Sequence, residues 1–312
     1  MRLHRSHVAP LALLGMLLTS CAAAPTATEP PAKSAPLPAV PSQIQTTNGE
    51  LTKEAERYRF LAEGHLISRC MVRQGYEYIV RTPPESALTV HAPALFHTLD
   101  PDEARTHGYG NPDNGADEVQ RFVSEDPNAA YAESLDGDRR NGYDKALFGS
   151  KEKEIDISLP DGENITTNTD GCTSEMRRAL YGTDLAVYLR NDYIADNLGL
   201  AVYQRVTADP AYTKALARWQ RCMRDRSYHF DGPGTAVSAA TKTRTTRTRP
   251  APNEIAIAVA DGECRTISRL STTLEQLTGT YRERLAKIRA LQLDANRRTR
   301  VDAIQRAGTL LS

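Results

Sequence analysis

The stretch WQRCMRDRSYHF, residues 219–230, decides the reading of the fold. An earlier stretch, CMVRQGYEY at residues 70–78, repeats its pattern. Both run Cys-Met, three residues, Gly or Ser, Tyr, one residue, then an aromatic. Ahead of the first copy, Leu51, Ala55, Tyr58, Ala62, Leu66 and Cys70 recur at three- and four-residue spacing, one face of a helix. Ahead of the second, Ala211, Ala215 and Trp219 do the same. Gly75 is placed to end its helix in the left-handed region, and the aromatic-rich residues 76–80 and 228–230 suit an extended exit. Each cysteine is therefore expected near a helix end, facing inward beside a Met. Each copy then offers a second cysteine in a helical run: Cys172 in GCTSEMRRALYG and Cys264 in VADGECRTISRL. The chain reads as a duplicated unit whose first copy carries the longer insertion.

The leader bears on the cysteines' compartment. Residues 1–20 begin with Arg2, His4, Arg5 and His7 and continue in a short apolar run, residues 8–18. They end Leu18-Thr19-Ser20-Cys21, which resembles the bacterial lipobox. That resemblance implies cleavage before Cys21 and diacylation of its thiol, and two acyl chains are enough for stable anchoring. The alternative is an ordinary signal peptide with an incidental cysteine. With Cys21 used, Cys70, Cys172, Cys222 and Cys264 remain, and an even number outside the cytoplasm reads as a disulfide framework. Four cysteines allow three connectivities. The duplication favours Cys70 with Cys172 and Cys222 with Cys264, each loop worth roughly 3–5 kcal/mol on the chain-entropy model. A metal site is the rival reading, but no C-x-x-C pair occurs and no His stands at ligand spacing from the cysteines.

The 312 residues carry 39 basic and 39 acidic side chains. Removing residues 1–20 takes away Arg2 and Arg5 and no acid, leaving 37 against 39 and a net charge of −2. This balance argues against bulk electrostatic binding of nucleic acid, which needs a basic surface. Beyond the leader no apolar run is long enough to span a bilayer.

Residues 21–50, with prolines at 25, 30, 31, 36, 38 and 41, read as a disordered tether. A first helical unit is expected over 51–208 and a second over 209–312. Within the first, a helix covers 51–74 and an insertion covers 91–150, with short helices at 101–105, 128–135 and 143–148. Asp100 and Asp126 are their N-caps where Pro101 and Pro127 follow. A hairpin pairs residues 155–159 with 165–167 around Asp161-Gly162. Helices follow at Cys172 to Gly182 and at 184–206. In the second unit Asp209-Pro210 starts the Trp219 helix, and 232–252 reads as a basic linker. A helix at 253–268 is capped by Asn253. Thr272 and Glu275 box the start of a long amphipathic helix bearing Leu274, Leu277, Tyr281, Leu285, Ile288 and Leu291 on one face. The fold class is mainly α: two disulfide-stapled helical units, a small β-hairpin insertion and a long C-terminal amphipathic helix.

The lipobox, the run from Trp219 through Cys222-Met223 to Tyr228, and the run from Glu254 to Arg265, ending Ala260-Asp261-Gly262-Glu263-Cys264-Arg265, resemble a group of uncharacterised actinobacterial secreted lipoproteins. Residues 128–135 and 143–149 are similar to that group too. The first Cys-Met copy departs from it, since no Trp precedes Cys70. The resemblance implies an envelope location and a disulfide-bonded helical fold, and implies no activity.

Candidate chemistry is sparse. His97, Asp100, Asp102, Glu103 and His107 have the donor types for a divalent cation; the simpler reading is a solvated loop with an Asp cap. NPDNGADE from Asn111 lacks the alternating acids of a calcium loop. No G-x-S-x-G, H-E-x-x-H or S-x-x-K motif occurs. Trp219, Tyr228 and Phe230 could line a ligand groove, but a Trp one turn before a Cys reads first as core. Lys242, Arg244, Arg247 and Arg249 would suit an anionic surface or a soluble linker. No catalytic, metal or cofactor residues are assigned. The expectation is a palmitate-type lipoprotein on the outer face of the cell membrane, anchored at Cys21, that binds or scaffolds a wall or envelope protein. The alternatives are an envelope hydrolase or metal-dependent enzyme using residues 91–150, and a small-molecule-binding lipoprotein.

Overall fold

The structure is a computed structural model and describes residues 33–88, 99–110, 116–160, 162–182, 184–242 and 250–312. The helices are α1 (Lys53–Arg73), α2 (Pro101–His107), α3 (Ala116–Ser124), α4 (Pro127–Ser134) and α5 (Gly137–Phe148). A hairpin of β1 (Glu154–Ser158) and β2 (Asn164–Asn168) follows. Then come α6 (Gly171–Tyr181), α7 (Leu185–Asp196), α8 (Leu198–Thr207), α9 (Pro210–Asp225), α10 (Pro233–Thr241), α11 (Pro252–Ile267), α12 (Leu270–Ile288) and α13 (Ala290–Leu311). The class is the expected one: helical, with a two-stranded antiparallel hairpin and two disulfides.

The repeated Cys-Met stretches fold alike. Cys70 and Cys222 lie in the last turns of α1 and α9, and Met71 and Met223 are both fully buried. Gly75 (φ +83°) and Ser227 (φ +66°) then take the left-handed conformation. In each turn the following tyrosine N–H bonds back to the methionine carbonyl, Tyr76 to Met71 at 3.0 Å and Tyr228 to Met223 at 2.9 Å. These bonds satisfy carbonyls that the helix end leaves open.

The two units trade their last helices. Asn197 lies 25 residues after Cys172, and Arg289 lies 25 residues after Cys264. Both are joints of nearly the same backbone shape (φ −98°, ψ 8° and φ −102°, ψ 14°), where one helix breaks and another begins. Beyond each joint the chain crosses to the other unit. Val202 and Val206 of α8 sit in the second core with Trp219, Met223, Leu270 and Leu274. Ala303, Ile304 and Ala307 of α13 sit in the first core with Tyr58, Ala62, Leu180 and Tyr188. The pairs α7–α8 and α12–α13 run antiparallel. Asn296 Nδ2 donates to Asp192 at one end, and the Tyr281 hydroxyl donates to Asp209 at the other. Thus α8 packs with the second core and α13 with the first.

The expected insertion is likewise divided. α2 packs on α11 of the second unit, whereas α5 packs on α6 of the first. Asp100 and Asp126 cap α2 and α4 as expected, accepting from Asp102 N–H at 2.8 Å and Asn128 N–H at 3.0 Å. The hairpin pairs Ile155 with Thr167 and Ile157 with Ile165, and Ile157 is buried. Arg190 of α7 donates to the Ser158 carbonyl at 3.0 Å and helps seat the hairpin.

Several expectations are corrected. Residues 33–50, expected as part of a disordered tether, lie along the body. Ala35 N–H bonds to the Val80 carbonyl at 2.7 Å, Gln45 bridges Leu51, and Leu37 and Ile44 pack against the first core. Residues 21–32 of the tether lie outside the described residues. The linker expected at 232–252 contains α10. Its Ala236 and Ala240, one turn apart, are fully buried, and their small side chains allow close approach to α11. α11 starts at Pro252, whose fixed φ suits the first helical position, so Ala251 rather than Asn253 is its N-cap. α12 starts at Leu270 directly after Arg269 (φ +57°), which puts Thr272 inside the helix and leaves no capping box there. The long C-terminal helix breaks at Arg289. Leu274 is buried, and Leu277, Tyr281 and Leu285 pack on the second core, but Ile288 and Leu291 are exposed.

Candidate functional site

The four remaining cysteines are paired within the units, Cys70–Cys172 and Cys222–Cys264. Their surroundings differ in charge. The first pair is buried on both sides, and Glu175, ion-paired to Arg73, sets a carboxylate oxygen 3.4 Å from Cys70 Sγ. Cys222 is half-buried and Cys264 fully buried. There Arg226 places Nη1 2.8 Å from Cys222 Sγ and 3.2 Å from Cys264 Sγ, while its Nη2 donates to Glu263 at 3.0 Å.

The run Ala260 to Arg265 builds a buried polar centre beside this disulfide. Asp261 is fully buried and receives four hydrogen bonds. Trp219 Nε1 (2.8 Å) and Arg265 Nε (2.8 Å) donate to Oδ1; the Tyr109 hydroxyl (3.1 Å) and Arg265 Nη2 (3.0 Å) donate to Oδ2. Such a carboxylate is compensated rather than bare. Burial, and then the Asp261 charge, push the Tyr109 hydroxyl pKa far up, so it remains a protonated donor. Gly262 lets the start of α2 approach: a Cβ there would meet Pro101 Cγ at 3.2 Å and the Leu99 carbonyl at 3.3 Å. Glu263 pairs with Arg226 and reaches Arg105 at 3.6 Å. Buried Glu254 accepts from Tyr109 N–H at 3.1 Å. With its oxygens covered by donors, Asp261 is poorly placed as a general base; it fastens α2 and α9 to α11.

The first unit holds a second polar network. Arg59 of α1 pairs with Glu56 and Glu63 and donates to the Tyr181 hydroxyl at 3.0 Å. Tyr181 donates to Glu63 and stacks on Tyr188 with ring centroids 4.1 Å apart. Burial works against the Arg59 charge, but Glu63, Tyr181 and Glu56 outweigh it and hold its pKa well up. Arg300 of α13 joins Asp192 and Asp196, each at 2.7 Å.

Cys21 lies outside the described residues, as do His97, the start of the Asn111 loop, and Arg244, Arg247 and Arg249. Asp100 is occupied in capping α2, Asp102 faces Arg105, and Glu103 and His107 are exposed. Among the described residues no group of three or more His, Cys, Asp or Glu converges as a metal site, and no helix is long and apolar enough to cross a membrane. Trp219 is core. Tyr228 and Phe230 stack half-buried at the second core's edge, with centroids 6.2 Å apart. The sequence drew attention to the run from Glu254 to Arg265 as a motif, but Tyr109 carried no signal of its part in it, because it meets α11 only in the folded chain. No protein-family model matches this chain, and comparison with curated proteins and with solved structures likewise finds no match.

Proposed function

We propose that the protein is a lipid-anchored cell-envelope protein, attached through Cys21, whose helical body binds or scaffolds a wall or envelope protein without catalysis. The observation that carries this is the pairing of all four remaining cysteines into two disulfides, each tying helices of one core. Such pairs persist in oxidising compartments outside the cytoplasm. The leader ending at Cys21 and the likeness of the Cys-Met and Asp261–Cys264 motifs to secreted lipoproteins point the same way. The strongest polar clusters, around Asp261 and around Arg59, join helices to one another, which fits a rigid scaffold. Mass spectrometry of membrane-extracted protein is expected to find an acylated N-terminal Cys21 peptide. Cross-linking on intact cells is expected to recover a discrete partner. An unmodified Cys21 in a cytosolic protein would refute the anchor, and recovery no better than background would refute the scaffold.

A further inference from the structure

The two disulfides differ in access and in the charge that faces them. Cys70 and Cys172 are both buried, and a Glu175 carboxylate oxygen lies 3.4 Å from Cys70 Sγ. A thiolate formed there would face a negative charge. In the second pair Cys264 is fully buried but Cys222 is half-buried, so an incoming group reaches this bond through Cys222. Arg226 Nη1 lies 2.8 Å from Cys222 Sγ and 3.2 Å from Cys264 Sγ, so one guanidinium serves whichever sulfur departs as a thiolate. Glu263 holds that guanidinium in place, accepting from Nη2 at 3.0 Å. Along α9 and its C-cap, residues 218–226 carry Arg218, Arg221, Arg224 and Arg226 against one acid, Asp225. Glu263, the acid beside Cys264, is met by Arg226 and by Arg105 at 3.6 Å. The field at Cys222 therefore favours an anion. The second unit also has ties that survive loss of this bond. Trp219 of α9 donates to Asp261 of α11 at 2.8 Å, and Arg218 donates to the Ser268 carbonyl at 3.1 Å and 2.8 Å. The cysteines of the second pair stand 42 residues apart against 102 for the first, so opening it restores less entropy to the unfolded chain.

We propose that Cys222–Cys264 is a thiol-exchange site whose substrate is a small anionic thiol. The substrate thiolate attacks Cys222 Sγ. A new S–S bond forms to Cys222, the bond to Cys264 breaks, and its electron pair goes to Cys264 Sγ as a thiolate beside Arg226 Nη1. A second substrate thiolate attacks the substrate's own sulfur in the mixed disulfide. The substrate pair leaves as a disulfide, and Cys222 departs as a thiolate beside the same guanidinium. Two substrate thiols are oxidised and one protein disulfide is reduced, and the two thiol protons end in solvent or on the new cysteine thiols. The site goes beyond the scaffold reading and does not depend on it, since the exchange needs no acyl group on Cys21.

The test uses the oxidised full chain carrying Cys21→Ser, which removes the one other thiol. Mercaptoethanesulfonate, an anionic thiol, is compared with cysteamine, a cationic one. Each rate is scaled to that thiol's rate with hydroxyethyl disulfide, which cancels its intrinsic reactivity. Acid quenching, alkylation and mass spectrometry follow the adducts. The first adduct is expected on Cys222, with Cys70–Cys172 still closed and the Trp219 fluorescence of the folded protein retained. The scaled rate for mercaptoethanesulfonate is expected to exceed that for cysteamine by about fivefold, and Arg226→Gln is expected to remove most of that preference. The adduct's position and the charge preference are read on the unmutated site, so they test the proposal even if Arg226→Gln disturbs folding. The proposal is overturned if the first adduct falls on Cys264, or if Cys70–Cys172 opens as fast. It is also overturned if the two thiols react at equal scaled rates, if a folded Arg226→Gln keeps the preference, or if opening Cys222–Cys264 unfolds the chain.

Discussion

Exchanging the residues at the two left-handed turns, Gly75→Ala in the first unit and Ser227→Gly in the second, should move stability in opposite directions. At Gly75 (φ +83°) an added Cβ would meet nothing within 4 Å, so packing contributes no penalty and the cost is conformational. A side chain in this region costs about 1–2 kcal/mol, and the stiffer unfolded chain returns about 0.4–1 kcal/mol, so a net loss of about 1 kcal/mol is expected. Ser227 (φ +66°) is exposed, and among the described residues its hydroxyl makes no hydrogen bond that glycine would lose. The same terms with reversed sign give a gain of about 0.5–1 kcal/mol. Urea unfolding with both disulfides intact, followed by far-ultraviolet circular dichroism, reads both changes as midpoint shifts at constant slope. Neutrality of Gly75→Ala within about 0.3 kcal/mol, or a loss in Ser227→Gly, would refute the view that backbone strain distinguishes the two turns.

Limited dithiothreitol followed by alkylation and mass spectrometry should open Cys222–Cys264 before Cys70–Cys172. Cys222 is half-exposed, and the Arg226 guanidinium stabilises either departing thiolate; Arg226→Gln should slow this step several-fold. Asp261→Ala removes the acceptor of four hydrogen bonds, two of them from the buried Arg265. A loss of about 3–5 kcal/mol is expected in denaturant unfolding, against about 1–3 kcal/mol for Trp219→Phe. Ile304→Ala should cost about 2–5 kcal/mol. Because α13 packs in the first core, hydrogen exchange should quicken in α1 and α6 more than in α11. The His65 pKa is lowered, chiefly by burial, with its ring 3.0 Å from the Ala35 carbonyl. The unfolded chain then binds the proton more readily. The His65 contribution is present in full above the usual histidine pKa of about 6.5 and is lost as pH falls through the lower folded value. Thermal melts of His65→Gln should show a shallower stability loss on acidification below about pH 6.5 than the parent.

The amino-acid sequence was most informative where the signal is local. Apolar spacing of three and four residues located α1 and α9, and Asp-Pro pairs marked the starts of α2, α4 and α9, because a cap and a fixed φ act on neighbouring residues. The echo of residues 219–230 in 70–78 favoured the observed cysteine pairing, since each copy of a duplicated unit carries its own two cysteines. Other features depended on partners far away in the chain. α10 has no contrast of large apolar and polar side chains, and its Ala236 and Ala240 become core only because α11 closes over them. Periodicity predicted helix across 184–206 and beyond 272, but it cannot say which core a helix faces, so the crossings at Asn197 and Arg289 were hidden. The register through Arg289 likewise turned Ile288 and Leu291 outward. Asp261 looked like any surface acid in a helix until Tyr109, Trp219 and Arg265 converged on it. The sequence by itself located most of the helices and, through the duplication, favoured one of three cysteine pairings, because caps, turns and repeats are written in contiguous residues. Tertiary structure alone decided which helix completes which core and which charges are buried, because those depend on contacts between segments as far as 242 residues apart.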